Sequence, residues 1–159
     1  MTQLFYKSFS FLSSYILIFA VTGCRQAPST TFSNPKGSVP RLEKIGNDIC
    51  RDTLSGLMWQ TGRSRKINDR QRAEQYAANL KTGGFNDWRL PSQGEFYTLH
   101  ILFFLKKNGA CRMKYKGSYW SEQPGLAPRP GRWASPYYTC GLNFDFEETK
   151  SGFVRAVRP

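Results

Sequence analysis

The sequence predicts a single compact α+β domain with two helices and several short antiparallel strands. Three observations support this fold class. The chain has 159 residues, of which 40% are hydrophobic and 15% aromatic, so it can bury a modest core. Its 14 Gly and 9 Pro indicate many turns and little long helix. Two stretches have the signals of an amphipathic or capped helix, and the remaining apolar runs are short.

Short apolar and aromatic runs bounded by turn residues predict the strands. These runs lie within 50–60, where a turn at 53–56 separates two strands, and at 118–121, 137–146 and 153–158. Four of the 9 prolines fall between 123 and 136, which predicts a long surface loop there. Three nearby acidic residues, Asp145, Glu147 and Glu148, predict a solvated turn rather than a calcium site.

Two stretches carry helix signals. The first begins at Asn68 or Asp69, either of which can cap a helix, and runs to about position 81, before two consecutive glycines. Its apolar residues recur at helical spacing: Ala73, Tyr76, Ala77 and Leu80. The second follows a capping box of Ser92 and Glu95 and continues to position 105. This helix is apolar almost all round, which predicts packing on two sides.

The first 23 residues predict an export signal. Lys7 is the only charge before Arg25, and the apolar run between them is shorter than the roughly 20 residues of a membrane-spanning helix. The run ends in Val21-Thr22-Gly23-Cys24, which resembles a bacterial lipobox. That resemblance implies lipidation of Cys24 at the mature N-terminus, and the absence of Asp after it favours the outer membrane. An ordinary secretion signal and a transmembrane anchor are the alternatives.

Residues 24–47 predict a flexible tether, because they are rich in Pro, Ser and Thr and have no apolar period. The domain is therefore expected at 48–159. Apart from Cys24, three cysteines remain: Cys50, Cys111 and Cys140. An exported protein permits disulfides, and three thiols allow one bridge. Pairing of Cys111 with Cys140 is favoured because the two flank the 119–121 segment, and pairing of Cys50 with Cys140 is the rival.

Basic residues dominate the chain. There are 23 Lys+Arg against 11 Asp+Glu, for a net charge of +12. The candidate ligand-binding residues form three clusters: Arg63, Arg65, Lys66, Arg70 and Arg72; Lys106, Lys107, Arg112, Lys114 and Lys116; and Arg129 and Arg132 beside Trp133. Such residues bind sulfate and carboxylate through charge-assisted hydrogen bonds. Export disfavours nucleic acid as the partner.

Enzyme signatures are missing from the sequence. One His argues against a multi-histidine zinc site or a Ser–His relay. The chain contains no nucleophile elbow, P-loop or dinucleotide fingerprint. We therefore expect neither a catalytic site nor a metal or cofactor.

Several motifs in the domain carry a family resemblance. They are Leu54–Gln60 (LSGLMWQ), Ala73…Tyr76-Ala77…Leu80, Asp87–Ser92 (DWRLPS) with Glu95, Tyr119-Trp120-Ser121 and Phe153–Arg158 (FVRAVR). In this order they resemble the Lcl C-terminal domain family, named after the legionella collagen-like adhesin. The resemblance implies a surface adhesin domain associated with sulfated glycosaminoglycans. No collagen-like repeat precedes the domain.

The element from Arg89 to Glu95 also resembles formylglycine-generating enzymes. That similarity implies a C-type-lectin-like or sulfatase-modifying-factor-like fold. The enzymes use a cysteine pair with copper, whereas only Cys140 lies in the corresponding segment here. An enzyme of this type is therefore a minor alternative.

The motif residues predict a structural framework. These residues are Trp59, Asp87, Trp88, Arg89, Pro91, Glu95, Trp120 and Arg155. Arg155 shares a strand face with Phe153 and Val157, which predicts a buried guanidinium. A buried charge needs a partner, and the candidate carboxylates are Asp52, Asp87 and Glu95.

The sequence thus favours an outer-membrane lipoprotein whose domain binds an anionic glycan or another surface polymer. The alternative is a protein-docking accessory subunit of an envelope or secretion assembly. Oligomerisation is compatible with either function.

Overall fold

The structure is a computed structural model that describes residues 39–135 and 143–159. In chain order its elements are β1 (Leu42–Ile45), β2 (Ile49–Asp52), β3 (Met58–Gln60), α1 (Arg70–Ala78), α2 (Gln93–Phe104), β4 (Tyr119–Gln123), β5 (Leu126–Ala134), β6 (Asp145–Glu148) and β7 (Val157–Arg158), with a short 3-10 helix at Thr82–Gly84. Within the described ranges, two helices and seven antiparallel strands in two sheets confirm the α+β prediction. The lectin-like fold stays a prediction.

The first sheet has the strand order β1-β2-β3-β7, and all its pairs are antiparallel. The predicted hairpin of 50–60 is confirmed by the register of β2 and β3, which places Cys50 opposite Trp59. Gly56 has a φ of 77° in the connecting turn, a conformation that glycine adopts without steric cost. Strand β7 pairs with β3, so the C-terminal strand closes the sheet.

The second sheet has the order β4-β5-β6. It shows that the predicted proline-rich surface loop is wrong, because most of that stretch is strand β5 in a hairpin with β4. The register shifts between Ser121 and Gln123, and prolines are tolerated in strands at such irregularities. Pro130 still contributes its carbonyl, which accepts a hydrogen bond from the Thr149 N–H at 2.8 Å.

The last strand of that sheet also differs from the sequence prediction. The strand predicted at 137–146 falls partly on 136–142, outside the described residues. The acidic residues predicted as a turn belong to strand β6 instead. Glu147 pairs with Arg132 at 2.8 Å and Glu148 with Arg129 at 2.9 Å on strand β5, so cross-strand ion pairs accommodate these acids in the sheet.

Helix α1 begins where its cap predicts. The carboxylate of Asp69 accepts a hydrogen bond from the Arg72 N–H at 2.8 Å. Ala73 and Ala77 are buried on its inner face. The helix ends at Ala78, earlier than predicted, and a 3-10 turn follows.

Helix α2 is confirmed together with its capping box. The Glu95 N–H donates to the Ser92 hydroxyl at 3.1 Å, and the Ser92 N–H donates to the Glu95 carboxylate at 2.7 Å. Leu99 and Leu102 pack in a core cluster with residues of the first sheet. Phe96 meets the ring of Tyr119 on β4 at 5.1 Å. The helix therefore packs on two sides, as its apolar sequence predicts.

The folded part begins earlier than the predicted boundary at 48. Strand β1 lies within the stretch predicted as tether, and Leu42 is only 2% exposed. The Lys107 carbonyl accepts hydrogen bonds from the N–H groups of Arg41 and Leu42 at 2.9 and 3.3 Å. The sequence contains little apolar signal here because Leu42 is the one fully buried residue of this short edge strand.

The predicted disulfide between Cys111 and Cys140 is wrong. Cys111 bonds to Cys50, 61 residues away, with 6.1 Å between the Cα atoms. Both residues are fully buried. Cys140, the partner in both sequence-based pairings, lies outside the described residues, as does Cys24. The bond joins strand β2 to the chain that follows α2 and so fixes the start of the loop described next.

Candidate functional site

A basic loop at 112–116 carries three of the predicted ligand-binding residues. Exposure alternates along it: Arg112, Lys114 and Lys116 are exposed, while Met113 and Tyr115 are half-buried. This period of two is typical of extended backbone. The loop therefore presents three cations on its outer face and two larger apolar side chains on its inner face.

The basic loop is held by fixed contacts, although it belongs to no helix or strand. Cys111, at its start, is disulfide-bonded to Cys50. The Lys114 carbonyl accepts a hydrogen bond from the Tyr119 hydroxyl and another from Arg155 Nη2 at 3.1 Å. These contacts limit the conformational entropy that the loop would lose on binding a ligand.

Arg63 connects the first predicted basic cluster to the loop. Its guanidinium lies 3.6 Å from the centre of the Phe153 ring, within cation–π distance. It donates to the Tyr119 hydroxyl at 3.0 Å and to the Lys116 carbonyl at 3.5 Å. Two basic clusters far apart in sequence thus meet at one place.

A cavity of about 620 Å³ lies beside the basic loop. It is lined by Thr61, Gly62, Arg63, Phe103, Asn108, Cys111, Arg112, Met113, Lys114, Tyr115 and Arg155. We call it the loop cavity. Its size lies in the range of small-molecule sites, and its lining combines four cations with two aromatic rings. Such a surface suits a ligand that has both an apolar face and negative charge.

The environment of Arg155 contradicts the sequence prediction. Each of its three candidate partners pairs with another arginine. The pairs are Arg41 with Asp52 at 2.6 Å, Arg158 with Asp87 at 2.6 Å and Arg89 with Glu95 at 2.7 Å. Arg41 and Arg158 reach their carboxylates from other segments of the chain, which the sequence cannot reveal. Arg155 itself lines the loop cavity, which sequence reasoning missed.

In two of these pairs the pKa of the carboxylate is lowered. Burial acts to raise the pKa of Asp52, but hydrogen bonds from Arg41, from Ser55 and from the Leu54 N–H outweigh it and hold the pKa below its usual value. The same balance applies to Glu95, where burial is opposed by hydrogen bonds from Arg89 and from the Ser92 N–H, and its pKa is also lowered.

The other predicted binding residues lie elsewhere. Arg65, Lys66, Arg70 and Arg72 are exposed on and before α1, and Arg70 lies 3.8 Å from Glu74. Lys106 and Lys107 are exposed at the end of α2. Arg129 and Arg132 are engaged by the carboxylates of strand β6. The structure therefore gathers Arg63, Arg112 and Lys114 around the loop cavity, with Lys116 beside them.

A second cavity of about 610 Å³ adjoins the first. The two share Tyr115, and the second is also lined by Trp133, Lys116 and His100. The Trp133 indole N–H is buried and has no hydrogen-bond partner in the described structure. Burial lowers the pKa of His100. The neutral imidazole is therefore the favoured form near pH 7.

The described part of the chain contains no group of three or more His, Cys, Asp or Glu placed to hold a metal ion. In the same ranges, none of the helices has the length and apolarity needed to span a bilayer. The motif tryptophans Trp59, Trp88 and Trp120 are buried at 2–4% exposure.

Together these features define a small disulfide-bonded α+β domain with a basic loop beside a cavity. The chain belongs to the Lcl C-terminal domain family, since the family model matches residues 48–158. This match confirms the resemblance carried by the sequence motifs. Membership indicates an adhesin-like protein of the bacterial surface, and the family is not a known enzyme family. No curated protein and no solved structure matches the chain.

Proposed function

We propose that the domain binds an anionic polysaccharide through the basic loop, as the recognition part of an adhesin-like lipoprotein. The observation that carries this proposal is the meeting of Arg63, Arg112 and Lys114 at one cavity. No carboxylate in the described residues forms an ion pair with any of these three side chains. Within the described residues, no carboxylate therefore neutralises their charge.

The adjoining cavities support a polymer as the ligand. They meet at Tyr115, so a chain of sugar rings can cross the surface from one to the other. The exposed cations at alternate positions of the basic loop run along the same surface. Aromatic rings stack on apolar sugar faces, while the cations neutralise the acidic groups.

Heparin chromatography of the full chain in detergent tests this function. We expect retention at low salt that is lost as salt screens the charges. The triple variant Arg112→Ala/Lys114→Ala/Lys116→Ala should bind about threefold to a hundredfold more weakly, since each exposed charge contact contributes roughly 0.2–1 kcal/mol.

The matched control is Arg65→Ala/Lys66→Ala/Arg72→Ala, which removes the same charge from exposed positions outside the loop cavity. Equal weakening by both triple variants would show that net charge alone drives retention. Absence of wild-type retention at low salt would refute polysaccharide binding. Salt-stable co-purification of a defined envelope complex would instead favour the protein-docking function.

The membrane part of the proposal rests on Val21-Thr22-Gly23-Cys24. Lipidation at Cys24 places several acyl chains in a bilayer, and two chains suffice for stable anchoring. The variant Cys24→Ser should move the protein from the outer-membrane fraction to the soluble fraction. Unchanged membrane fractionation of Cys24→Ser would contradict lipid anchoring.

A further inference from the structure

Arg155 is the most deeply buried cation of the described residues, with 1% of its surface exposed. Its Nη2 donates to the Lys114 carbonyl at 3.1 Å. Its Nε and Nη1 have no hydrogen-bond partner, and no carboxylate in the described ranges forms an ion pair with it. Burial lowers the pKa of Arg155 below its usual value, but a guanidinium keeps its proton in proteins.

A buried and unpaired charge destabilises the folded state unless neighbouring groups compensate it. The guanidinium carbon lies 5.5 Å from the centre of the Tyr119 ring, and this contact compensates part of the charge. Arg63 carries the same positive charge, and its repulsion also acts to lower the pKa of Arg155. Within the described residues the local charge is therefore positive and lacks a counter-ion.

Arg155 and Arg63 line the loop cavity together with Arg112 and Lys114. We infer that the loop cavity is a subsite for a single sugar-borne oxyanion, a sulfate ester or a carboxylate, whose charge compensates Arg155. This inference rests on the proposed polysaccharide binding and names the group that enters the cavity. The sugar ring that carries the oxyanion contacts Phe103 and Tyr115, which line the apolar part of the cavity.

The alternative role of Arg155 is purely structural, and the two roles predict opposite effects on stability. An apolar residue of similar length in place of a buried unpaired charge removes the cost of burying that charge. The Lys114 carbonyl keeps its hydrogen bond from Tyr119 when the arginine is removed. Arg155→Met should therefore melt at or above the wild-type temperature while it loses affinity for the ligand.

Calorimetric titration of the full chain in detergent tests the subsite. The probes are a sulfated disaccharide, an unsulfated uronate-containing disaccharide and a neutral disaccharide. Wild type should bind one or both anionic probes and not the neutral one, and the two anionic arms distinguish sulfate from carboxylate. Arg155→Met should weaken that binding by about tenfold to a hundredfold, the effect of losing a hydrogen bond to a charged group.

Two further variants keep the result interpretable. Arg155→Lys retains the charge without the fork of donors and should keep part of the affinity. Arg129→Met removes a surface arginine that pairs with Glu148 and should leave disaccharide binding unchanged. The inference is overturned if Arg155→Met binds the anionic probes as wild type does, or if wild type is retained on heparin but binds neither anionic probe. Lack of heparin retention refutes the proposed function itself.

Discussion

Removal of the Cys50–Cys111 disulfide should cost the domain a large part of its stability. The bond closes a loop of 61 residues, and the loop-closure entropy that it removes from the unfolded chain corresponds to about 4 kcal/mol at 25 °C. A domain of this size has a total free energy of unfolding of roughly 5–15 kcal/mol. The double variant Cys50→Ala/Cys111→Ala should therefore be marginally stable. Both side chains are fully buried, so alanine is preferred to serine, which would bury an unpaired hydroxyl.

Urea unfolding followed by tryptophan fluorescence measures this effect. The double variant and the reduced wild type should both unfold at much lower urea concentrations than the oxidised wild type. A non-reducing proteolytic digest should yield the Cys50 and Cys111 peptides joined to each other. A loss below about 1 kcal/mol would refute the entropic reasoning, and a cross-linked pair that contains Cys140 would refute the assignment of the bond.

Three further stability measurements follow from particular contacts. The pKa of Asp52 is lower in the folded than in the unfolded chain. The stabilisation of the fold by Asp52 should therefore be complete above about pH 4 and be lost as the pH falls through the folded pKa. The urea midpoint of Asp52→Asn should vary less with pH in that acidic range than the wild-type midpoint. Ser92→Ala removes the cap of helix α2 and should lower the free energy of unfolding by about 1 kcal/mol. Gly131→Ala places a Cβ 2.8 Å from the Glu147 carbonyl oxygen and should lower the melting temperature. Gly94 lies at the start of α2 in open space, so Gly94→Ala should raise the free energy of unfolding by about 0.5–1 kcal/mol.

Features set by neighbours in sequence could be predicted. The caps Asp69 and Ser92 bond to N–H groups three residues away, so the starts of both helices follow from local residue types. The hairpin of 50–60 likewise follows from one turn between two short strands. Strand β5 could not be predicted in this way, because prolines argue against a strand unless its register is known.

The candidate site depends instead on contacts between distant segments. The sequence pairs Cys140 with Cys111 or, as the rival, with Cys50, and only the packing of β2 against the chain after α2 brings Cys50 to Cys111. Arg155 has three candidate carboxylates in the sequence. In the described structure it has no ion-pair partner, because each of these carboxylates pairs with a different arginine. No local sequence pattern shows which of several arginines a given carboxylate pairs with. The basic residues could be found from the sequence, but their grouping around one cavity could not.

The distribution of ion pairs leaves the cations of the basic loop without a carboxylate partner in the described structure. Seven of the 11 acidic residues pair with arginines in the described structure. Each pair neutralises a cation on a helix, a strand or its flank, and none reaches the basic loop. These cations lie beside a cavity that is also lined by Arg155, on a loop that starts at a disulfide-bonded cysteine. This position favours a binding role, because fixed and uncompensated cations attract an anionic ligand at a small entropic cost.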